Sequence, residues 1–222
     1  ISIGNYAFAS CNSLTSITIP NSITQISSGV FSNCTNLKNV SLPANITTIG
    51  DFAFMSCRSL ETINLPNSIN SISQYAFFLC EKLTTIDLPA QLKSIDVGVF
   101  KDCVMLNSIS IPATVESIGD RAFYNCSGLT SITSLCTIPI SLPSSDVFYN
   151  VNKTTCTLKV QSSSKQLYLD ALYWKDFFNI VELLTTDNSV NRINKTIISK
   201  NGNSILIVFS NDKINWCRVY KS

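Results

Sequence analysis

A repeat of 23 residues constrains this chain more than any other feature of its sequence. The segment IGDFAFMSCRSLETINLPNSINS, residues 49–71, recurs without insertion or deletion. Phenylalanine stands at positions 8, 31, 54, 77, 100 and 123, cysteine at 11, 34, 57, 80, 103 and 126, and proline at 20, 43, 66, 89 and 112. A fixed period of this length is typical of a solenoid, whose units bury their apolar faces only against each other.

The first half of each repeat has the apolar spacing of a helix. In the third repeat, the apolar side chains that share one helical face are Ile49, Ala53, Cys57 and Leu60. This spacing predicts one or two short helical turns. Glycine recurs just before them, at Gly4, Gly50 and Gly119, which we interpret as the requirement of a turn.

The second half of each repeat predicts a short strand. Ile63 and Leu65 point to one face while the residues between them point to the other, and Pro66 ends the pattern. Equivalent parallel strands are expected at the same step, centred on Ile17, Val40, Ile63, Ile86, Ile109 and Ile132. A second apolar pair, Ile69 and Ile72, returns the chain along the opposite wall to the next unit.

The repeated run IGxxAFxxCxxLxxIxLPxxIxxI resembles the BspA-like leucine-rich repeats of bacterial surface proteins. Six units match, from residue 3 to about residue 133, and residues 151–183 are similar to the closing segment of such proteins from Bacteroidetes. The resemblance implies a right-handed leucine-rich-repeat solenoid with one parallel strand per repeat. It also implies relatives that bind host matrix proteins or other bacteria.

We expect three parts in the chain. Residues 1–160 form the solenoid, with six clear repeats and a degenerate seventh in which Val147-Phe148 replaces the Ala-Phe pair. Residues 161–184 form a C-terminal cap of one helix and one strand. Residues 185–222 form a linker and a small β-meander. The chain begins inside a repeat, so we expect the natural protein to be longer.

The last two parts are predicted in more detail from their patterns. In the cap, helical spacing of 4, 3 and 4 joins Leu167, Ala171, Trp174 and Phe178, and a closing strand is expected over residues 180–184. In the tail, three strands are expected over residues 196–199, 204–210 and 214–220, joined at Asn201-Gly202 and Asn211-Asp212.

The nine cysteines fall into two groups. The six that recur once per repeat occupy an apolar position, which predicts a buried ladder of unpaired thiols acting as small hydrophobic groups. Cys136, Cys156 and Cys217 lie outside this ladder. A Cys136–Cys156 disulfide across adjacent coils is an alternative that the sequence leaves open.

Composition argues against several classes of function. The chain has no histidine, which removes the usual general base and the Ser–His and Cys–His nucleophile pairs. The aspartates stand at scattered repeat positions, and no glycine-rich phosphate-binding motif occurs. We therefore predict no catalytic residue, no cofactor and no metal site. A net charge of +2 gives no reason to expect nucleic acid, and there is no apolar run long enough to span a membrane.

The predicted sheet face carries twelve outward side chains, of which eleven are small, neutral and polar. They are Ser16, Thr18, Asn39, Ser41, Thr62, Asn64, Thr85, Asp87, Ser108, Ser110, Ser131 and Thr133. This face lacks the aromatic and arginine anchors that usually carry interface energy. It is either a solvated β face or a surface that binds an extended peptide or glycan weakly over many coils.

The flank of the solenoid offers a more specific candidate. The position two before each phenylalanine holds Tyr6, Gly29, Phe52, Tyr75, Gly98 and Arg121; the residue that follows is valine after glycine and alanine after a larger residue. This alternation indicates volume compensation in one pocket. Phe78 and Leu79 stand where the other repeats are mostly polar. We therefore predict a partner-binding site at Phe52, Met55, Tyr75, Phe78 and Leu79, with burial under a neighbouring loop as the alternative.

These features predict a non-enzymatic recognition or adhesion module that is extracellular and displayed at the cell surface. The expected partners are a host matrix protein, a glycan or another cell-surface protein. A structural spacer that displays other domains is the alternative function. An enzyme would require residues 185–222 to be part of a catalytic domain.

Overall fold

The computed structural model describes residues 2–183, together with the backbone of residues 196–201 and 204–209. The chain divides into two units, residues 1–184 and residues 185–222. In the first unit the chain winds as a solenoid of parallel strands, and its coils are numbered one to seven by the core phenylalanines at 8, 31, 54, 77, 100, 123 and 148.

Thirteen strands are present in the described residues. In chain order they are β1 (Ser16–Thr18), β2 (Gln25–Ile26), β3 (Asn39–Ser41), β4 (Thr48–Ile49), β5 (Ser71–Ile72), β6 (Ser94–Ile95), β7 (Ser108–Ile111), β8 (Ser117–Ile118), β9 (Ser131–Ser134), β10 (Thr157–Val160), β11 (Asn179–Glu182), β12 (Thr196–Asn201) and β13 (Ser204–Phe209).

The first sheet follows the predicted strands. β1 pairs with β3, and β7, β9, β10 and β11 form a parallel sheet in which Ile109 is opposite Ile132 and Ile132 is opposite Leu158. Coils three and four contribute isolated bridges, Thr62 to Thr85 and Thr85 to Ser108. The predicted strand centres are therefore confirmed, because each lies in a strand or beside a bridge.

A second parallel ladder lines the opposite wall of the solenoid. It consists of two-residue strands, in one sheet of β2, β4 and β5 and another of β6 and β8. The return segment of the first five repeats, expected only as an apolar pair, is thus itself a strand. Its isoleucines, such as Ile49 and Ile72, are buried and complete the core between the two walls.

The predicted helical turns are single turns and not continuous helix. In coil three the N–H of Met55 donates to the carbonyl of Phe52 at 3.0 Å, but the N–H of Phe54 donates to Ala76 of the next coil at 2.8 Å. Phe52 and Ser56 have φ angles of +56° and +59°. Left-handed residues at two positions per coil stop helix propagation, because consecutive right-handed dihedrals are what a helix requires.

The phenylalanine of each repeat forms the centre of the core. Adjacent rings from Phe8 to Phe148 stack with centroids 5.4–5.7 Å apart and planes within 18° of each other. Offset stacking of aromatic rings at this separation is favourable. The seventh coil continues the stack through Phe148, and Val147 beside it is buried, as the substitution for the Ala-Phe pair predicts.

Two of the repeated glycines each begin a turn, as predicted, since Gly50 accepts from the N–H of Ala53 and Gly119 from that of Ala122, each at 3.3 Å, but what requires glycine there is the close approach of coils. A Cβ on Gly50 would lie 2.8 Å from the backbone nitrogen of Ser28, and one on Gly119 would lie 2.5 Å from that of Val97. Neither glycine has a positive φ. A larger residue in place of Gly50 or Gly119 must therefore displace the preceding coil.

The cysteine ladder is confirmed for five of its six members. Cys34, Cys57, Cys80, Cys103 and Cys126 are buried and unpaired. The thiol of Cys80 donates to the carbonyl of Phe54 in the preceding coil at 3.2 Å, and the other four make the equivalent bond at 3.0–3.2 Å. Cys11 is exposed, contrary to the prediction, because no preceding coil covers it among the described residues.

The cysteines outside the ladder do not form the alternative disulfide. Cys136 and Cys156 are both free and both buried. The Cys136 thiol points to the carbonyl of Pro112 at 3.4 Å. Cys217 lies outside the described residues.

The cap after the seventh coil differs from its predicted helix. The helix α1 spans only Lys165–Asp170, because Ala171 is extended and Tyr173 is left-handed with a φ of +66°. Tyr168, Trp174 and Phe177 are the aromatic residues buried here. The prediction that Leu167, Ala171, Trp174 and Phe178 share one face of a helix is therefore wrong.

Leu167 and Phe178, which that face predicted to be buried, are 47% and 82% exposed. A helix that stops after six residues cannot carry the 4-3-4 spacing to Phe178. The closing strand β11 begins at Asn179, next to the position expected for it.

The second unit contains a β-hairpin. β12 and β13 pair antiparallel, with Asn201 opposite Ser204, so the two described strands end and begin beside the predicted junction. The predicted linker and the predicted strand over residues 214–220 lie outside the described residues. No helix in the described part of the chain is long and apolar enough to cross a membrane.

Candidate functional site

Large side chains line up along one flank of the solenoid, one residue after the core phenylalanine. In coils three to seven this position holds Met55, Phe78, Lys101, Tyr124 and Tyr149, and we call these five residues the flank column. The phenylalanine before each of them points into the core, so the next side chain points outward. Coils one and two have only Ala9 and Ser32 at this position.

Aromatic contacts in coils three and four join the flank column to the position two before the phenylalanine. The rings of Phe52 and Tyr75 stack with centroids 5.5 Å apart and planes at 3°. Tyr75 in turn meets the edge of Phe78 at 5.8 Å, with the planes at 67°. Offset stacking and edge contact are the two favourable geometries for ring pairs.

Lys101 links the aromatic groups of coils four and six. Its ammonium lies 4.8 Å from the ring centroid of Phe78 and 5.4 Å from that of Tyr124, within cation–π range of both. The carboxylate of Asp102 is 3.7 Å from the same nitrogen, and the lysine side chain is only 26% exposed. The lysine is therefore held in place on three sides and extends the column into coil five.

Tyrosines continue the column through the last two coils. Tyr124 and Tyr149 stack with centroids 4.6 Å apart and planes at 14°, and Tyr149 is 54% exposed. Beside them the amide of Asn125 donates to Asp102 and the amide of Asn150 donates to Asn125, each at 2.6 Å. The result is an unbroken run of aromatic and cation–π contacts from coil three to coil seven, supported by a ladder of hydrogen bonds.

The glycines on this flank make room for rings of the preceding coil. A Cβ on Gly29 would collide with the ring of Tyr6, and a Cβ on Gly98 would lie 2.5 Å from Cδ1 of Tyr75. The space left by each glycine is thus filled by the tyrosine one coil earlier. The compensation predicted from the glycine–valine pairing therefore also operates between coils.

All five residues of the predicted site lie on this flank, within coils three and four. Phe52, Met55, Tyr75, Phe78 and Leu79 are each half-buried. The ring of Phe78 is neither mostly exposed nor fully buried, because Tyr75 and Lys101 pack against it. The groups that cover this ring come from coil four itself and from coil five.

Sequence reasoning missed Lys101, Tyr124 and Tyr149. The first two stand at the 23-residue step from Phe78, so comparing one repeat position down the chain is the signal that finds them. Tyr149 lies two residues beyond that step, because the seventh coil contains extra residues before its phenylalanine. Only the structure aligns it with Tyr124.

The sheet face is as polar as predicted, and its surface is flatter than that of the flank. Ten of its twelve side chains are exposed, and Ser131 and Thr133 are half-buried. A shallow cavity of about 190 Å³ lies where the strands of coils three and four meet, bordered by Thr62, Asn64 and Asp87. No aromatic or basic side chain borders it.

The buried thiols are poor nucleophiles. Burial raises the pKa of the Cys156 thiol to about 11, and it raises the pKa of Cys57, Cys80, Cys103 and Cys126 further. Desolvation disfavours the thiolate, which is the reactive form. Among the described residues, no three cysteine or carboxylate side chains are grouped so that they could hold a metal ion.

Comparison with known families agrees with this architecture. The family model described as the BspA type leucine-rich repeat region matches in six copies, over residues 1–130 and 93–216. The resemblance predicted from the repeat is therefore confirmed. No curated protein sequence matches the chain.

Two solved structures have a similar fold. The leucine-rich repeat protein of T. pallidum is 24% identical, with 72% of this chain and 84% of that protein covered and a TM-score of 0.58. The pneumococcal vaccine antigen PcpA is 21% identical, with 76% of this chain and 41% of that protein covered and a TM-score of 0.59. These similarities show the leucine-rich-repeat fold.

Proposed function

This chain belongs to the BspA type leucine-rich repeat family, and we propose that it is a non-enzymatic recognition or adhesion module of the cell surface. Its partner is a host matrix protein, a glycan or another cell-surface protein. The observation that supports this most is the flank column, whose contacts run unbroken from Phe78 in coil four to Tyr149 in coil seven.

The flank column has the composition of an interaction surface. Aromatic residues dominate the energetics of protein interfaces, and the column holds Phe78, Tyr124 and Tyr149 in a row. Stacking already restricts these rings, so a partner that binds them causes little further loss of side-chain entropy. One end of this surface is the partner-binding site predicted from the sequence, which consists of Phe52, Met55, Tyr75, Phe78 and Leu79. We propose that the site extends from there to Tyr149.

Two further observations support the non-enzymatic part of the proposal. The chain contains no histidine, and the pKa of its buried ladder thiols is raised by desolvation. The proposed surface location is supported by the family and by the similar fold of a pneumococcal protein described as a vaccine antigen.

The proposal is tested by finding a partner and then comparing two surfaces. The full chain is passed over arrays of matrix proteins and of glycans, and any ligand retained is titrated against variants. Tyr149→Ser combined with Lys101→Gln should weaken binding at least tenfold, a loss of about 1.4 kcal/mol. The matched control, Asn64→Ala combined with Thr85→Ala on the sheet face, should change binding less than twofold. If the control variant loses affinity for the ligand and the flank variant does not, the ligand binds to the sheet face.

A structural spacer is the second candidate, and the composition of the sheet face favours it. Eleven of twelve outward side chains there are small, neutral and polar, so this wall offers no anchors. If no array member retains the chain, and the flank variant leaves whole-cell adhesion of a strain displaying the protein unchanged, the spacer is the better description.

A further inference from the structure

Tyr149 ends the stack of rings along the flank column. Its ring packs against Tyr124 on one side, with centroids 4.6 Å apart, and the ammonium of Lys101 lies between Tyr124 and Phe78. In the described part of the chain no other ring and no ammonium lies against Tyr149. The residue is 54% exposed, so the face turned away from Tyr124 is open to a ligand.

The loop that carries this tyrosine is ordered by its own hydrogen bonds. The carbonyl of Phe148 accepts from the N–H of Val151 at 3.2 Å and from the ammonium of Lys153 at 3.1 Å. Tyr149 is extended, with φ and ψ of −59° and 136°, and Asn150 has a φ of +60°. These are the dihedral angles of a type II turn, in which asparagine is one of the residues suited to the left-handed position. A loop that is already ordered loses little entropy when a ligand binds.

The amide ladder beside the tyrosines has hydrogen-bonding capacity to spare. One N–H of Asn150 donates to Asn125, and the amide of Asn125 donates to Asp102, each at 2.6 Å. The second N–H and the carbonyl oxygen of Asn150 have no partner among the described residues, and this side chain is exposed. The free amide therefore offers one donor and one acceptor side by side. Donation toward a carboxylate at the far end of the ladder also strengthens the free oxygen as an acceptor.

The charge in this loop narrows the class of ligand. The face of an aromatic ring is electron-rich, so it attracts both cations and C–H groups. The ammonium of Lys153 lies in the same turn and forms no ion pair with a carboxylate of the described residues, so it repels a cationic ligand. A pyranose ring is uncharged and has C–H bonds on its faces. Its hydroxyls stand on adjacent carbons, and each of them both donates and accepts.

We propose that the outer face of Tyr149, together with the amide of Asn150, binds a pyranose ring of a glycan. The sugar stacks its C–H face on the tyrosine, and two neighbouring hydroxyls pair with the free N–H and the free oxygen of the asparagine. This inference rests on the proposed recognition function and narrows its partner to a glycan, bound at the coil-seven end of the flank column. A single sugar on one ring and one amide should bind with a Kd on the order of 1 mM.

The test titrates the full chain, labelled with ¹⁵N, with the methyl β-glycosides of galactose, glucose, mannose and N-acetylglucosamine. At least one of the four should give saturable shifts at the backbone amides of residues 149–153 and at the side-chain amide of Asn150. Tyr149→Phe should keep the affinity within threefold because it keeps the ring face, whereas Tyr149→Leu should weaken binding at least tenfold. Asn150→Gly suits the left-handed backbone, removes the amide and should also weaken binding at least tenfold.

A tyrosine at the other end of the solenoid provides the matched control. Tyr6 in coil one is 53% exposed, nearly the same as Tyr149. Tyr6→Leu should leave the affinity for the glycoside within twofold. The spectra of the unbound variants report whether each one is folded.

Three results would each overturn the sugar site. They are the absence of saturable shifts with all four glycosides, a loss in Tyr6→Leu equal to that in Tyr149→Leu, and equal saturation of the same amides by acetyl-arginine methylamide. Failure of the proposed function is a separate result. If a matrix protein is retained through Tyr149 and Lys101 while no glycoside binds, the recognition function stands and the sugar site does not.

Discussion

The ring of Tyr75 occupies the space that a side chain at residue 98 would need. A Cβ on Gly98 would lie 2.5 Å from Cδ1 of that ring, and Gly98 has a φ of +60°. The same ring stacks on Phe52 and meets Phe78, so one glycine in coil five sets the position of the aromatic residues in coils three and four.

Gly98→Ala should therefore destabilise the chain and displace the flank. The left-handed backbone alone costs a residue with a Cβ about 1–2 kcal/mol, and the displaced ring adds to it. In a Tyr75→Ala background the collision is gone, and the cost of Gly98→Ala should fall to about 1–2 kcal/mol, which is the backbone cost alone. Urea unfolding of the four members of this cycle measures both values. If the losses of unfolding free energy in the two single variants simply add up in the double variant, the position of the Tyr75 ring does not depend on Gly98.

The thiols should divide into one reactive and seven protected groups. Of the eight cysteines in the described residues only Cys11 is exposed. In a Cys217→Ser background, Ellman titration of the native protein at neutral pH should detect one thiol, and Cys11→Ser should abolish that signal. The remaining thiols should react only in denaturant. Prompt reaction of several thiols in the native state would mean that the coils open.

Alkaline pH should destabilise the fold. Burial raises the pKa of Cys156 from 9.0 to about 11, so between these values the unfolded chain releases this proton while the folded chain retains it. The contribution of each such thiol to the free energy of unfolding is fully present below pH 9. It decreases above pH 9 by up to about 1.4 kcal/mol per pH unit. Cys156→Ala should make the thermal midpoint fall less steeply between pH 9 and 11. If the thermal midpoints of Cys156→Ala and of the unchanged protein follow the same curve between pH 9 and 11, this prediction is wrong.

The cap depends on the hydroxyl of Tyr168. This oxygen lies 2.6 Å from the hydroxyl of Ser134 and donates to the carbonyl of Cys136 at 3.2 Å, all in buried surroundings. Tyr168→Phe should destabilise the chain by about 1–3 kcal/mol, because it leaves a buried polar group without its partner. Leu167→Ala, on the exposed side of the same helix, is the control and should cost less than about 0.5 kcal/mol. Equal costs would show that the hydroxyl contributes nothing.

Asp96→Gly should stabilise the solenoid. In the described structure β5 does not pair with β6, whereas Ser73, at the same repeat position as Asp96, donates its N–H to Ile49 at 2.9 Å. The carboxylate of Asp96, which accepts from Ser94 at 2.7 Å, is what distinguishes it from the serine. Its removal should allow the N–H of residue 96 to bond to Ile72, worth about 1 kcal/mol. Hydrogen exchange of amide 96 should become slower. The reverse change, Gly119→Asp, should open the junction of coils five and six, because a Cβ there lies 2.5 Å from the nitrogen of Val97. Faster exchange at amide 96 in Asp96→Gly would contradict the account.

The 23-residue period by itself determined the solenoid. Once Phe54 and Cys57 recur at one step, the same side chain must meet its own equivalent in the next coil, so the core stack, the thiol ladder and the strand register all follow from spacing. The position of Phe78 outside this pattern likewise pointed to the flank, because stacking does not dictate that position.

Only the tertiary structure decided which neighbours those positions meet. Tyr149 joins Tyr124 although two extra residues separate their coils, and the ring of Tyr75 fills the space of Gly98 across a coil boundary. The second ladder is interrupted between β5 and β6, beside Asp96, although Ser73 at the same repeat position keeps its ladder bond. The reason is physical: periodicity specifies what repeats within a coil, whereas distances between coils depend on how each side chain packs against the next.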